Sequence, residues 1–275
     1  MSISAAAVMA LREKTGLPMM ECKKALEESG GDMDKAVEIL RKKGSGQMDK
    51  RQERATSEGR VACIVTGDGQ RAGVAEVQCE TAPVANTDDF IKLTRVAAEV
   101  AAQLDNPTPE AVLAAKMPDG SGQTVNEFLT DVVNKIRENI RIHRVANLTG
   151  DVGSYQHHNG RVGVIVQMTA SCPNEVKTDV CMHVAAMNPR CARRDEVDPA
   201  QVEEERQIAA EQAKGKPANI IDKIVEGKLN RWFGEIVLLE QPFVKDDKKS
   251  VGQMLAGVAP ELSVTKYIRY EVGRT

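Results

Sequence analysis

Apolar residues recur at helical spacing three times within the first 44 residues, and a break follows each run. The spacing predicts a first helix over residues 4–14 with Ser4 as its N-cap, and a second helix with Pro18 in its first turn, where the missing N–H costs little. Asp32 is the expected N-cap of a third helix that stops at Gly44. Its apolar face consists of Met33, Ala36, Val37 and Leu40. The pattern therefore predicts a module of three short helices.

After this module the periodic pattern of apolar residues stops, and the chain beyond the stop contains two similar copies of one pattern. Residues 44–58 are polar and lack periodicity at their start, so we interpret them as a linker, partly helical. Beyond it, segments of the first core half recur in the second, which indicates an internal duplication. The matched segments are 59–65 with 160–166, 95–98 with 183–186, 124–129 with 250–255, and 140–145 with 267–272.

Each copy contains strands joined by turns, then helices, then a β-branched last strand. That order predicts an α+β fold in which helices cover one face of an antiparallel sheet. We therefore predict three units: residues 1–54 as the N-terminal module and linker, residues 55–149 as the first half of a duplicated core, and residues 150–275 as its second half.

The second copy also carries an insertion of helical composition. Residues 199–231 have apolar residues at helical spacing on both sides of a single break at Gly215-Lys216-Pro217. Two helices joined by so short a turn pack antiparallel, which predicts a helical hairpin over about residues 195–233. A hairpin too thin for its own core would project from the body or pack on a partner, and self-association through it stays open.

Composition and charge exclude several classes of function. A net charge of −3 and 3% aromatic residues in 275 argue against a nucleic-acid partner. No apolar run is long enough to span a membrane, and the first residues do not have the pattern of a secretory signal. The six cysteines form no Cys-x-x-Cys pair, which indicates reduced, mostly buried thiols in a cytoplasmic protein.

Motifs for nucleotide binding and catalysis are missing as well. The chain has no Gly-x-x-x-x-Gly-Lys-Ser/Thr sequence, and Asp68-Gly69 is better explained as a hairpin turn. His157 and His158 lack a third ligand at a useful spacing, so we expect a surface loop rather than a metal site. No nucleophile motif supports an enzyme.

Two adjacent methionines precede a lysine pair at the start of the second predicted helix. Met19 and Met20 beside a turn are typical of an adaptable apolar contact surface, and the alternative is that both are core residues. For Lys23 and Lys24 the alternative to binding is that they are solvated helix residues.

Residues 11–26, which include both methionines, resemble the signature of the elongation factor Ts family, the nucleotide exchange factors of elongation factor Tu. Further resemblance at residues 136–140, 150–157, 241–244 and 267–273 extends over nearly the whole chain, and the helical module is similar to ubiquitin-associated domains. The resemblance implies contacts to elongation factor Tu by Arg12, Met19, Met20 and Lys23 in the module, and by Asn139, Ile140 and His157 in the core.

The resemblance also implies a mechanism. The factor would bind elongation factor Tu–GDP, distort its magnesium and phosphate site, and promote release of GDP so that GTP can bind. Magnesium and GDP would belong to the partner, so this chain would need no cofactor and no catalytic centre of its own.

One segment departs from the family. The family signature reads Thr-Asp-Phe-Val, and its Asp-Phe pair is taken to enter the partner near the magnesium site. This chain has Thr81, Ala82, Pro83 and Val84 there, which we call the 81–84 segment. Residues 88–90 (Asp-Asp-Phe) lie just downstream and stay open as a replacement. The departure leaves an alternative function, a holding chaperone for elongation factor Tu with weak exchange activity.

Overall fold

The computed structural model describes residues 3–49, 51 and 53–274 and begins with three helices. They are α1 (Ala5–Thr15), α2 (Met19–Glu28) and α3 (Met33–Asp49). The Ser4 hydroxyl accepts a hydrogen bond from the Ala7 N–H, and the Asp32 carboxylate accepts two, from the N–H groups of Asp34 and Lys35. Both predicted N-caps are therefore confirmed.

Gly44 does not end the third helix, contrary to the prediction. The helix continues to Asp49, so the predicted linker begins as helix; residues 50 and 52 of that linker lie outside the described residues. A Cβ placed on Gly44 would lie 1.9 Å from the Nδ2 atom of Asn134 in a core helix. Gly44 therefore allows the module to approach the core closely. It does not form a turn, because the helix continues through it.

The first half of the core is a three-stranded antiparallel sheet with helices packed on it. Its elements are β1 (Glu58–Val65), β2 (Arg71–Cys79), α4 (Ala82–Ala85), α5 (Asp88–Gln103), α6 (Pro109–Ala114), α7 (Val125–Ile136) and β3 (Arg141–Thr149). The strand order is β1-β2-β3. The predicted turn at Asp68-Gly69 joins β1 to β2, and Gly69 has the positive φ of 70° that favours glycine.

The second half follows the same plan. Its elements are β4 (Val152–Gln156), β5 (Val162–Met168), α8 (Asn174–Met187), α9 (Pro199–Gln212), α10 (Ala218–Ile236), β6 (Pro242–Phe243), β7 (Asp246–Ser250), α11 (Val251–Val258) and β8 (Val264–Glu271). The strand order is β4-β5-β8, so in each half the last strand pairs with the second strand of the first hairpin. This architecture confirms the predicted α+β fold class.

One of the sequence matches behind the duplication joined strands that are not equivalent. Residues 59–65 lie in β1, whereas residues 162–166 of the matched segment lie in β5, the counterpart of β2. The correct counterpart of residues 161–164 is 71–74, which has the same Arg-x-Gly-Val sequence. The error arose because every half-buried strand alternates in the same way, so its pattern does not indicate its place in a sheet.

The two sheets pack against each other through a shared apolar layer. The central strand β5 contacts all three strands of the first sheet. Val61, Val74 and Ile165 are buried between the sheets. A Cβ on Gly163 would lie 2.5 Å from Cγ1 of Val61, so glycine is needed where the two backbones approach.

The predicted helical hairpin is present as α9 and α10. Contrary to the expectation that it is too thin for a core, an apolar cluster lies between its helices and the chain beside them; it includes Val197, Ala209, Leu229 and Phe233. All six cysteines are free thiols, and three of them are buried: Cys22, Cys79 and Cys181. In the described ranges, every helix is too short or too polar to cross a membrane.

Candidate partner-binding surface

Helix α2 exposes the residues that the sequence predicted as a contact surface. Cys22, Ala25 and Leu26 are buried in the module core, whereas Met19, Met20 and Lys23 are exposed. Met19 and Met20 are 46% and 62% exposed, so the alternative that both are core residues is wrong. Lys23 lies 3.9 Å from the carboxylate of Glu27, and Arg12 on α1 is also exposed. The module thus presents two methionines and two cations to solvent, a composition suited to protein binding.

The 81–84 segment comprises Thr81 and the first three residues of the short helix α4. Ala82 and Pro83 are exposed, and Val84 is half-buried. Proline is compatible with this helix because it lies in the first turn, where no intrahelical N–H bond is lost. The segment therefore presents a methyl group and a pyrrolidine ring, and it lacks a carboxylate and an aromatic ring.

Hydrogen bonds to Glu138 restrain the start of α4. The Glu138 carboxylate accepts from the Glu80 N–H at 3.1 Å, from the Thr81 N–H at 3.0 Å and from the Thr81 hydroxyl at 2.6 Å. The Cys79 thiol donates to the Thr81 carbonyl at 3.2 Å. Burial, with the Glu138 charge nearby, raises the pKa of Cys79 to about 12, so the thiol keeps its proton and remains a donor.

The end of α4 is restrained by Asn86 and Arg60. Asn86 Nδ2 donates to the Ala82 carbonyl at 2.9 Å, and its Oδ1 accepts from Arg60 Nη1 at 2.9 Å. The same Arg60 nitrogen lies 3.4 Å from the Ala85 carbonyl. Helix α4 is consequently bonded to the core at both of its ends.

Asn139 and Ile140 lie inside the fold. They are 5% and 2% exposed. The Asn139 N–H donates to Glu80 Oε1 at 2.6 Å, and its side-chain amide donates to the Arg54 carbonyl at 2.7 Å. In this conformation Asn139 supports the chain beside the 81–84 segment from within the protein, and Ile140 belongs to the apolar core of the first half.

Arg137 connects the same region to the helical module. It ends α7 in a left-handed conformation with φ 70°, and its guanidinium lies 2.7 Å from the carboxylate of Glu21 on α2. Sequence reasoning did not assign a role to Arg137 or Glu138, although both lie in the motif at residues 136–140. The sequence signal that could have indicated a role was this charged pair, which directly precedes the buried Asn139 and Ile140 just before β3.

His157 lies in the turn between β4 and β5, as expected for a surface loop. The Tyr155 hydroxyl lies 3.0 Å from His157 Nδ1, and the ring of His158 is 4.2 Å away, centre to centre. The turn ends at Gly160, where a Cβ would lie 2.6 Å from Cζ of Arg60. The turn is therefore adjacent to the residue that bonds the end of α4. Nowhere in the described parts of the chain do three or more His, Cys, Asp or Glu side chains group as a metal site would require.

The residues just downstream do not replace the missing Asp-Phe pair. Phe90 is fully buried in the core of the first half. Asp89 accepts a hydrogen bond from Lys135 at 2.6 Å, and only Asp88 is exposed. Because Phe90 fills the core, its ring cannot reach a partner without unfolding α5.

Segments far apart in the sequence thus form one continuous line of contacts. The line runs from α2 through Arg137 and Glu138 to α4, and on through Arg60 to the turn at residues 157–160. Asn139, which bonds Glu80, and His157 in the turn lie along this line. Met19, Met20 and Lys23 lie on α2 at its other end, whereas Arg12 lies on α1.

Comparison with known proteins gives a consistent result. The model of the family "Elongation factor TS" matches residues 80–274. The chain is 42% identical to the elongation factor Ts of Methylococcus capsulatus, over 99% of this chain and 93% of that protein. It is 40% identical to that of Nitratidesulfovibrio vulgaris, over 99% and 96%, and 40% identical to that of Clostridium perfringens, over 98% and 93%. With its two-part core and exposed α2 surface, the chain belongs to the elongation factor Ts family.

Proposed function

We propose that this protein acts in translation elongation in the cytoplasm, where it binds elongation factor Tu–GDP and promotes release of GDP so that GTP can bind. The observation that carries the proposal is the line of contacts from Glu21 on α2, the helix that exposes Met19 and Met20, to the exposed tip of α4, Ala82 and Pro83. A protein that docks through one end of such a line holds the other end in a defined position against its partner. The family resemblance supplies the identity of that partner.

Exchange of this kind requires no catalytic centre in the factor. A factor that binds the nucleotide-free partner more tightly than the GDP-bound partner must weaken GDP binding by the same ratio. Docking energy would come from Arg12, Met19, Met20 and Lys23, with His157 at the second contact. Helix α4 would then disturb the magnesium and phosphate site from outside. Asn139 would contribute by supporting the backbone next to α4, and Ile140 by packing in the core of the first half.

Stopped-flow measurement of GDP release tests the proposal. The cognate elongation factor Tu, loaded with fluorescent GDP, is mixed with this protein in the presence of excess unlabelled GDP. We expect release to accelerate at sub-stoichiometric amounts, because one factor molecule acts on many partner molecules. A release rate that stays constant over a concentration series would refute exchange. Calorimetry of the protein alone with GDP should show no binding in the micromolar range.

One observation favours a second function, that of a holding chaperone for elongation factor Tu. The tip of α4 exposes only Ala82 and Pro83, and it has less apolar area than a phenylalanine would provide. The two functions differ in the release rate at saturating factor. Tight binding with release near the spontaneous rate would identify the holding function.

A further inference from the structure

Residues 137–139 contact three separate parts of the chain. Arg137 binds Glu21 on α2, Glu138 binds the two residues that lead into α4, and the Asn139 amide binds the linker at Arg54. This short stretch, which we call the junction, therefore lies between the surface proposed to dock on the partner and the segment proposed to act on it.

We infer that Glu138 is a positioning residue for nucleotide exchange, an inference that rests on the proposed function. It acts by setting the direction in which α4 points relative to α2. Its carboxylate accepts three hydrogen bonds from Glu80 and Thr81, and it is only half-exposed. Because one side chain makes all three of these bonds, this residue is the main restraint at the start of α4.

The role of α4 in this chain makes that restraint important. Its exposed residues are Ala82 and Pro83, which have little area with which to bind a partner. A small tip displaces groups of the partner only if its backbone stays in place when the two surfaces meet. The energy for distortion then comes from docking elsewhere, and the junction transmits it to the tip.

The conformation of Arg137 supports the same role. Arg137 has φ 70°, a left-handed conformation that costs non-glycine residues about 1 kcal/mol and that glycine would adopt without strain. Arginine at this position provides what glycine lacks, a side chain that reaches Glu21 at 2.7 Å. The junction thus joins α2 and the start of α4 over two consecutive residues.

The test compares variants of the full chain in the GDP release assay with cognate elongation factor Tu, over a concentration series of each variant. Glu138→Ala removes all three hydrogen bonds. Glu138→Gln keeps them, because an amide oxygen can accept from both N–H groups and the amide NH2 can donate to the Thr81 hydroxyl. Glu127→Ala is the matched control, since Glu127 lies on α7 and accepts equivalent bonds from the Thr124 N–H and hydroxyl.

For Glu138→Ala we expect the saturating release rate to fall about tenfold or more, with a half-saturating concentration within about threefold of the unmodified protein. For Glu138→Gln and Glu127→Ala, the saturating release rate and the half-saturating concentration should both stay within about threefold of the unmodified protein. Amide hydrogen exchange at residues 80 and 81 should be faster in Glu138→Ala and unchanged in Glu127→Ala.

Two results would overturn the inference. One is a normal saturating rate for Glu138→Ala together with faster amide exchange at residues 80 and 81, because the segment would then act without its restraint. The other is a raised half-saturating concentration with a normal saturating rate, which would make Glu138 a docking residue. If Glu138→Ala does not fold, Thr81→Val removes one of the three bonds, and a saturating rate equal to that of the unmodified protein contradicts the inference. If the unmodified protein itself does not accelerate release, the proposed function fails instead.

Discussion

Met19 and Met20 are exposed although apolar, and the rest of α2 explains why. Met20 lies on the face of α2 opposite the buried Cys22, Ala25 and Leu26, and Met19 is the first residue of the helix. Their exposure leaves apolar area uncovered, which is unfavourable unless a partner covers it.

We expect Met19→Ala with Met20→Ala to weaken binding to elongation factor Tu while leaving the free energy of unfolding nearly unchanged. Truncating apolar residues at an interface costs roughly 1–2 kcal/mol each, whereas exposed side chains contribute little to folding. Titration of the labelled partner and thermal unfolding measure the two quantities. Met187→Ala is a suitable control, because Met187 is 45% exposed at the end of α8. A large fall in melting temperature with normal binding would contradict the assignment.

Arg137 allows backbone strain and ion pairing to be separated. Arg137→Ala removes the pair with Glu21 and keeps a side chain at φ 70°, whereas Arg137→Gly removes the pair and relieves the strain. The Gly variant should be more stable than the Ala variant by about 1 kcal/mol. Since both partners are nearly half exposed, the pair itself contributes only ~0–1 kcal/mol. Urea unfolding of the two variants measures the difference, and equal stabilities would show that the conformation carries no strain.

Among the elements, α4 is the one that contains the departure from the family signature. It is one helical turn with bonds at both ends, from Glu138 at its start and from Asn86 and Arg60 at its end. Its position is therefore set by the core and does not depend on the identity of its two exposed residues.

Ala82→Asp with Pro83→Phe tests how much the missing pair matters. The variant fits the helix, because both positions lie in its first turn, where Asp interacts favourably with the helix dipole. Losing one Phe contact forfeits ~2–3 kcal/mol, or roughly 30- to 150-fold in rate if all of it acts in the transition state. Because docking contributes energy as well, we expect GDP release to be at most about tenfold faster in the variant. An increase of about a hundredfold or more would favour the holding function.

On the scale of the whole molecule, a buried charge pair joins the two halves of the core. Glu76 on β2 is fully buried, and one of its oxygens lies 2.7 Å from Arg144 Nε on β3. Arg144 also donates to the carbonyls of Glu271 and Arg274, and the Gly273 N–H donates to Glu76 at 3.3 Å. The pair thus bonds the end of the second half to the sheet of the first.

Arg144→Met should lower the free energy of unfolding by about 3 kcal/mol, because it leaves the Glu76 charge buried without its partner. Glu76→Met with Arg144→Met removes both charges and should be less destabilising than the single change, since no charge remains uncompensated. Urea unfolding at neutral pH measures both variants. If the double variant were the less stable of the two, the pair itself, and not the unpaired charge, would carry the stability.

The sequence alone determined the features that depend on neighbouring residues. The helices of the module, their caps at Ser4 and Asp32, the turn at Asp68-Gly69 and the hairpin of α9 and α10 follow from apolar spacing and turn chemistry. Those are local interactions, so a short window of residues contains them. The family resemblance is of the same kind, because it rests on ordered runs of residues.

Only the tertiary structure decided the features that join distant residues. Thr81 meets Glu138 across 57 residues of sequence, and Arg137 meets Glu21 across 116. Tertiary packing also decided the role of Gly44: local rules predict a helix end there, but the glycine faces Asn134. It likewise decided that Phe90 is buried in the core and is not exposed for a partner. Which of many polar or apolar residues come together depends on how the sheets and helices pack. A pattern that repeats every two or 3.6 residues specifies a buried face but not the residues that it meets.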